Sequence, residues 1–147
     1  MAQGGSIARF TLWYFALVFG AGFALGVLRT LLLEPRVGAQ TAELLELPLM
    51  VLVSAWAAAF CLRRLGAGLG RSAAAGAGVA AVILLLGFEL VVVLLLRGEP
   101  LGGWLATRAS PAGVAWGVAV LLFGAWPWLL HPRVAAGRGL SSPRRAD

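Results

Sequence analysis

Four runs of apolar residues, each long enough to cross a bilayer, alternate along this chain with short stretches that hold nearly all of its charge. A hydrocarbon core of about 30 Å is crossed by about 20 helical residues. Residues 10–33, 44–62, 79–96 and 113–130 meet that length, and their ends are marked by charge or proline. Arg9 precedes the first, and Glu34, Pro35 and Arg36 follow it. Glu43 precedes the second and Arg63-Arg64 follow it, while His131-Pro132-Arg133 follow the fourth. The pattern predicts an all-α polytopic membrane protein, an antiparallel bundle of four transmembrane helices. Short connections predict that neighbouring helices run in opposite directions. Residues 1–133 form one membrane domain, and residues 134–147, rich in Gly, Ser, Pro and Arg, form a flexible basic tail.

Composition agrees with lipid as the solvent: 61% of the 147 residues are hydrophobic and 12% are charged. All twelve basic residues are arginine, and Ala, Gly, Leu and Val dominate the rest, a bias suited to a GC-rich bacterial genome. A net charge of +6 invites a nucleic-acid reading, but these arginines are divided among the ends of apolar spans and make no soluble basic surface. They set orientation instead. Arg9, Arg63, Arg64, Arg71, Arg133, Arg138, Arg144 and Arg145 fall on one side, against Arg29, Arg36, Arg97 and Arg108 on the other. The arginine-rich side stays in the cytoplasm. That places both termini in the cytoplasm of a bacterium and the chain in its inner membrane. A cleaved signal peptide is the rival reading of the first run, but a signal core spans only about 7–15 residues and this run is longer and broken by Arg29.

Helices in lipid associate through close backbone approach, so small residues spaced by four mark contact faces. Ala16, Gly20 and Ala24 form one such row on the first span, and Gly22 with Gly26 another. Gly113 and Gly117 repeat the spacing on the fourth. These faces read as seams within the bundle or as a homo-oligomer face. The six tryptophans, Trp13, Trp56, Trp104, Trp116, Trp126 and Trp128, fall mostly near span ends and read as interfacial anchors. Pro48 is placed in the first turns of the second span, and Pro127 bends or ends the fourth. Cys61 reads as a small buried filler.

Glu89 is the one acid set deep in an apolar run. Insertion tolerates it: an acid at mid-span costs about 2.5–3.5 kcal/mol, and each Leu, Ile, Phe or Val returns about 0.3–0.6 kcal/mol. Positions three and four residues away are Leu85, Leu86, Val92 and Val93, so its partner comes from another helix. Arg29, about one turn below the outer end of the first span, is within reach of Glu89, about two turns below the outer end of the third. With Glu46 these form an expected intramembrane group of Arg29, Glu46 and Glu89, open to the periplasm. An ionisable residue inside a membrane is a functional hypothesis by default. The bland alternative has Arg29 reaching the headgroups and a protonated Glu89 fixing helix register. Glu34, Glu43 and Glu99 add carboxylates on the same outer side. Without regular ligand spacing they predict no metal site.

Enzyme chemistry is not indicated, since His131 is the only histidine and has no acid or nucleophile near it in sequence. One histidine also excludes a bis-histidine haem, and no cofactor is expected. The stretches Leu32-Leu33-Glu34-Pro35-Arg36-Val37-Gly38 and Ala42-Glu43-Leu44-Leu45-Glu46-Leu47-Pro48-Leu49-Met50 resemble a group of small uncharacterised four-helix inner-membrane proteins of proteobacteria. The resemblance runs through all four spans and implies the architecture without an activity. The residues alone therefore support two functions: binding or passage of a proton or small solute, or a structural or accessory role in a larger membrane complex. Four short helices enclose little volume, so passage is expected to require oligomerisation.

Overall fold

The computed structural model describes residues 2–96, 98 and 100–140. It consists of helices α1 (Ala2–Leu28), α2 (Glu34–Val37), α3 (Ala39–Leu65), α4 (Arg71–Val91), α5 (Leu101–Arg108) and α6 (Pro111–Leu140). Two π-helical segments, Arg29–Leu33 and Val92–Leu96, continue α1 and α4. Four helical stretches are long and apolar enough to cross a membrane: Gly4–Val37, Ala39–Leu65, Arg71–Leu95 and Pro111–Gly137. Each outruns its apolar core because, once nucleated, a helix satisfies its own backbone whatever the side chains are. The first has 34 residues, a rise of about 50 Å at about 1.5 Å per residue, so its polar ends reach past the hydrocarbon.

The fourth helix also continues past residue 133 to Leu140, and Val134 packs against the core. The first seven residues of the expected tail are thus helical, because Val134 has an apolar surface to rest on. Residues 141–147, with Arg144, Arg145 and Asp147, lie outside the described residues, as do Arg97 and Glu99. Pro48 sits in the interior of α3, since that helix begins at Ala39 rather than Leu44. Neither Pro127 nor Pro132 ends α6.

The spans alternate in direction, but the order around the bundle differs from a simple meander. In the cross-section α1 touches α3 and α4, and α6 touches α3 and α4, so α1 and α6 face each other across one diagonal and α3 and α4 across the other. The connection from Gly66 to Gly70 therefore crosses beneath the bundle. Leu69 of this connection is buried in the core, and its carbonyl lies 2.7 Å from His131 Nε2. Leu69 thus fills the space between the ends of α3 and α4, which do not pack side by side.

Lipid-facing surfaces carry large apolar side chains, among them Phe23, Leu95 and Leu121, exposed by 68%, 78% and 74%. The interior is built from small ones. Ala57, Ala58 and Cys61 of α3 and Ala74, Ala77 and Ala81 of α4 are fully buried, which draws their backbones toward the axis. The tightest approach joins Gly78 to Gly124: a Cβ on Gly78 would collide with the Gly124 carbonyl oxygen, and one on Gly124 would lie 2.9 Å from Val82 Cγ2. Of the expected glycine seams only Gly22 has a neighbour, Met50 at 3.1 Å from a built Cβ, while Gly20, Gly26 and Gly117 meet nothing within 4 Å. Gly113 instead permits the α5–α6 turn, where a Cβ would lie 2.6 Å from the Thr107 carbonyl oxygen. Chain-local spacing finds small residues but not the face that a neighbour covers.

Tyr14 spans the α1–α6 diagonal. Its ring stacks on Phe123 at 4.7 Å between centroids, and its hydroxyl donates to the Phe123 carbonyl at 2.7 Å. That carbonyl is the one Pro127 leaves free, because residue 127 would otherwise donate its N–H four residues back. A membrane helix keeps an internal proline when a neighbour supplies the missing donor, and Tyr14 is that neighbour. Thr11, one turn earlier, donates to the Ala77 carbonyl at 3.4 Å and ties the same face of α1 to α4. Replacing Tyr14 by Phe is expected to lower the unfolding free energy by about 1–2 kcal/mol. In a Pro127→Ala background, which restores the N–H, the same change should cost much less; equal costs in a double-mutant cycle of denaturant unfolding would show that the hydroxyl does not serve the freed carbonyl.

Candidate functional site

The core of Phe10, Tyr14, Val18, Leu62 and Phe123 fills the half of the bundle that carries the termini. Toward the other end, where Gly38 and the α4–α6 connection lie, the helices diverge around a cavity of about 820 Å³. It is lined by Arg29, Glu34, Glu43 and Glu46 on one side and by Glu89, Trp104, Arg108 and Trp116 on the other, with Met50 and Val93 among its apolar residues.

Both π-helical segments border this cavity, and both follow from the local sequence. Pro35 has no N–H for the Leu31 carbonyl, so the turn before it cannot keep the α ladder; the Glu34 N–H reaches back to the Arg29 carbonyl instead. The wider turn begins at Arg29. Gly38, at φ 81° and ψ 158°, then reverses the chain in a conformation that side chains exclude, and α3 starts at the next residue. This places Glu34 and Glu46 on either side of the Arg29 guanidinium. Arg29 Nε lies 2.7 Å from Glu46 Oε2 and Nη1 lies 3.0 Å from Glu34 Oε1. The expected pairing of Arg29 with Glu46 is present, joined by Glu34.

Glu89 is bonded elsewhere. Its Oε1 accepts from Arg108 Nη2 and, at 3.3 Å, from Trp104 Nε1. The partner expected for it, Arg29, is committed to the other two carboxylates. Glu89 therefore shares the cavity with Arg29 and Glu46 but belongs to a second ion pair. Arg108 sits at the last residue of α5, a short helix that the hydropathy pattern merged into a loop because it spans only eight residues, two of them glycine. The turn that follows is fixed by Ser110, whose Oγ accepts from the Gly113 N–H at 3.0 Å ahead of Pro111, an N-cap with proline at the first helical position.

Two of the expected interfacial tryptophans belong to this second pair. The Arg108 guanidinium carbon lies 3.9 Å from the Trp116 ring centroid and 5.1 Å from that of Trp104, and the two rings meet edge to face at 6.4 Å. Arg108 Nε is buried without a hydrogen-bond partner. Hydropathy alone assigns a tryptophan near a span end to the headgroups. The signal for a different role was a Trp-x3-Arg spacing on one helical face of the connection, with Glu89 otherwise unmatched.

Glu43 lines the cavity with no ion pair among the described residues, and Glu99 lies outside them. Among the described residues no cluster of three or more Asp, Glu, His or Cys is arranged to hold a metal ion. Among the described residues the lining thus combines four carboxylates with two guanidinium groups, a formal charge of −2. Comparison of the chain with protein-family models, with curated proteins and with solved structures finds no match. Double-mutant cycles should give a coupling of about 1–3 kcal/mol between Glu89 and Arg108 and close to zero between Glu89 and Arg29, read from unfolding in detergent. A strong Arg29–Glu89 coupling would contradict the two-pair arrangement.

Proposed function

We propose that this membrane protein binds a small solute or proton in the ion-paired cavity, from the periplasmic face of a bacterial inner membrane, alone or as a subunit of a larger assembly. The observation that carries the reading is that six charged side chains from five helical segments converge on open volume. A polar contact serving only to hold helix register needs the pairs and no space around them. About 820 Å³ lies within the range of small-molecule sites, about 300–1,000 Å³. The arginine distribution supports this orientation: Arg9, Arg63, Arg64, Arg71 and Arg133 lie toward the opposite end of the helices from the cavity, the end expected in the cytoplasm.

The tyrosine-filled core separates the cavity from the other face, so passage through a single copy requires that the core rearrange. The second reading, an accessory subunit without transport, draws on Gly20, Gly26 and Gly117, where an added Cβ would meet nothing within 4 Å, so that the α1 and α6 surfaces that carry them have room for the close approach of another helix. Liposomes holding the wild-type protein are expected to show proton or small-cation flux that Glu89→Gln abolishes while the fold persists. Unchanged flux with a lowered melting temperature would favour the accessory role. For orientation, in a Cys61→Ala background an impermeant maleimide added outside whole cells should label Gly102→Cys and spare Gly137→Cys; the reverse would invert the topology.

A further inference from the structure

The side chain seated between Trp104, Trp116 and Glu89 is itself a cation, which identifies the chemistry those three residues recognise. From this we propose that the cavity is a site for a small organic cation, an ammonium or guanidinium compound, and that Arg108 is its resident internal occupant, displaced when the ligand binds. The inference rests on the cavity being a solute site and adds the class of solute and the way the site is held closed.

Three observations converge. The rings of Trp104 and Trp116 flank the Arg108 guanidinium at 5.1 and 3.9 Å, distances at which the negative ring faces attract a cation. Glu89 supplies the counter-charge at the same spot. The remaining lining is negative as well: Glu34 and Glu46 outnumber Arg29, and Glu43 has no ion pair among the described residues. An anion would enter a cavity of net charge −2, and a neutral solute would leave that charge uncompensated. A cation reduces it.

Displacement is feasible because of where Arg108 is mounted. The α5 helix buries none of its residues, and its contacts are with α6 and the π-helical end of α4. Glu43 stands in the same cavity as an alternative partner for the released guanidinium. Exchange then conserves ion pairs: the ligand takes Glu89 and the two rings, and Arg108 takes Glu43. The buried Arg108 Nε, unpartnered in the closed arrangement, gains an acceptor on release.

The test uses full-length protein in nanodiscs, titrated calorimetrically with benzyltrimethylammonium, with its uncharged isostere neopentylbenzene and with benzylphosphonate. Saturable binding is expected for the ammonium compound, about tenfold or more tighter than for either other probe. Arg108→Ala, which empties the cage, should tighten it by about tenfold, and Trp116→Leu should weaken it by a similar factor. Glu43→Gln removes a half-exposed carboxylate with no ion pair among the described residues, and should weaken ammonium binding several-fold without unfolding the protein. Should Arg108→Ala fail to fold, the Trp116 and Glu43 variants decide the question. Tighter binding of the phosphonate would overturn the cation assignment and leave the cavity a solute site. No saturable binding of any probe would overturn both. Cation binding that Arg108→Ala leaves unchanged or weakens would overturn the role of Arg108 as occupant.

Discussion

The bundle is organised by one hydrogen bond across its axis, from the Tyr14 hydroxyl to the carbonyl that Pro127 leaves without a donor. In a medium without water, a free carbonyl at this depth would cost several kcal/mol. Tyr14 meets it from the diagonal helix. To do so its ring must occupy the centre of the bundle, stacked on Phe123, and α1 and α6 must stand opposite each other. The positions of α3 and α4 on the other diagonal follow, and with them the path of the Gly66–Gly70 connection and the burial of Leu69 beneath the core. Pro127 in turn rests on α4, its Cδ 3.5 Å from a Cβ built on Gly78, at the point where the backbones of α4 and α6 come closest. Proline, tyrosine and the two glycines Gly78 and Gly124 thus act as one unit.

That unit fills only half of the membrane. Above it the small residues that draw the helices together give way to Met50, Val93 and charged side chains, and the two π-helical segments widen α1 and α4 at the same level. Arg29 opens the first of these segments, and Val92 and Val93 of the second line the same cavity. The result is a tight, apolar half at the end that carries the termini and an open, ion-paired half at the other. Rigidity below and volume above suit a binding site mounted on a fixed base. The α5 helix borders this volume through Trp104 and Arg108 and contributes no buried residue.

Much of this was legible in the residue pattern, for reasons specific to lipid. Span number and length follow from hydropathy because every backbone group in hydrocarbon must be satisfied within its own helix. The depth of Glu89, the burial of Cys61 and the proximity of Arg29 to Glu46 follow from counting residues from the span ends. The partner of Glu89 was a different matter. A linear count places Arg29 inside the first span and Arg108 in the connection after the third, and so favours Arg29; which arginine arrives is decided by rotation about the helix axes and by α5, whose length and glycines conceal it. Glycine spacing is limited in the same way, since a four-residue stripe does not say whether the neighbour lies within the chain, as Met50 does at Gly22, or is absent from it, as within 4 Å of a Cβ at Gly20, Gly26 and Gly117.

The sequence by itself determined that this chain is an all-α membrane protein of four spans with ionisable groups gathered toward one end, because the transfer energies of side chains and backbone act residue by residue. Tertiary structure decided the rest: which helices share a diagonal, that Tyr14 answers Pro127, and that the ionisable groups divide into two pairs around a cavity with Trp104 and Trp116 facing a guanidinium. Those outcomes depend on the relative rotation of helices that meet only once the chain has packed, and no property of one helix alone contains that angle.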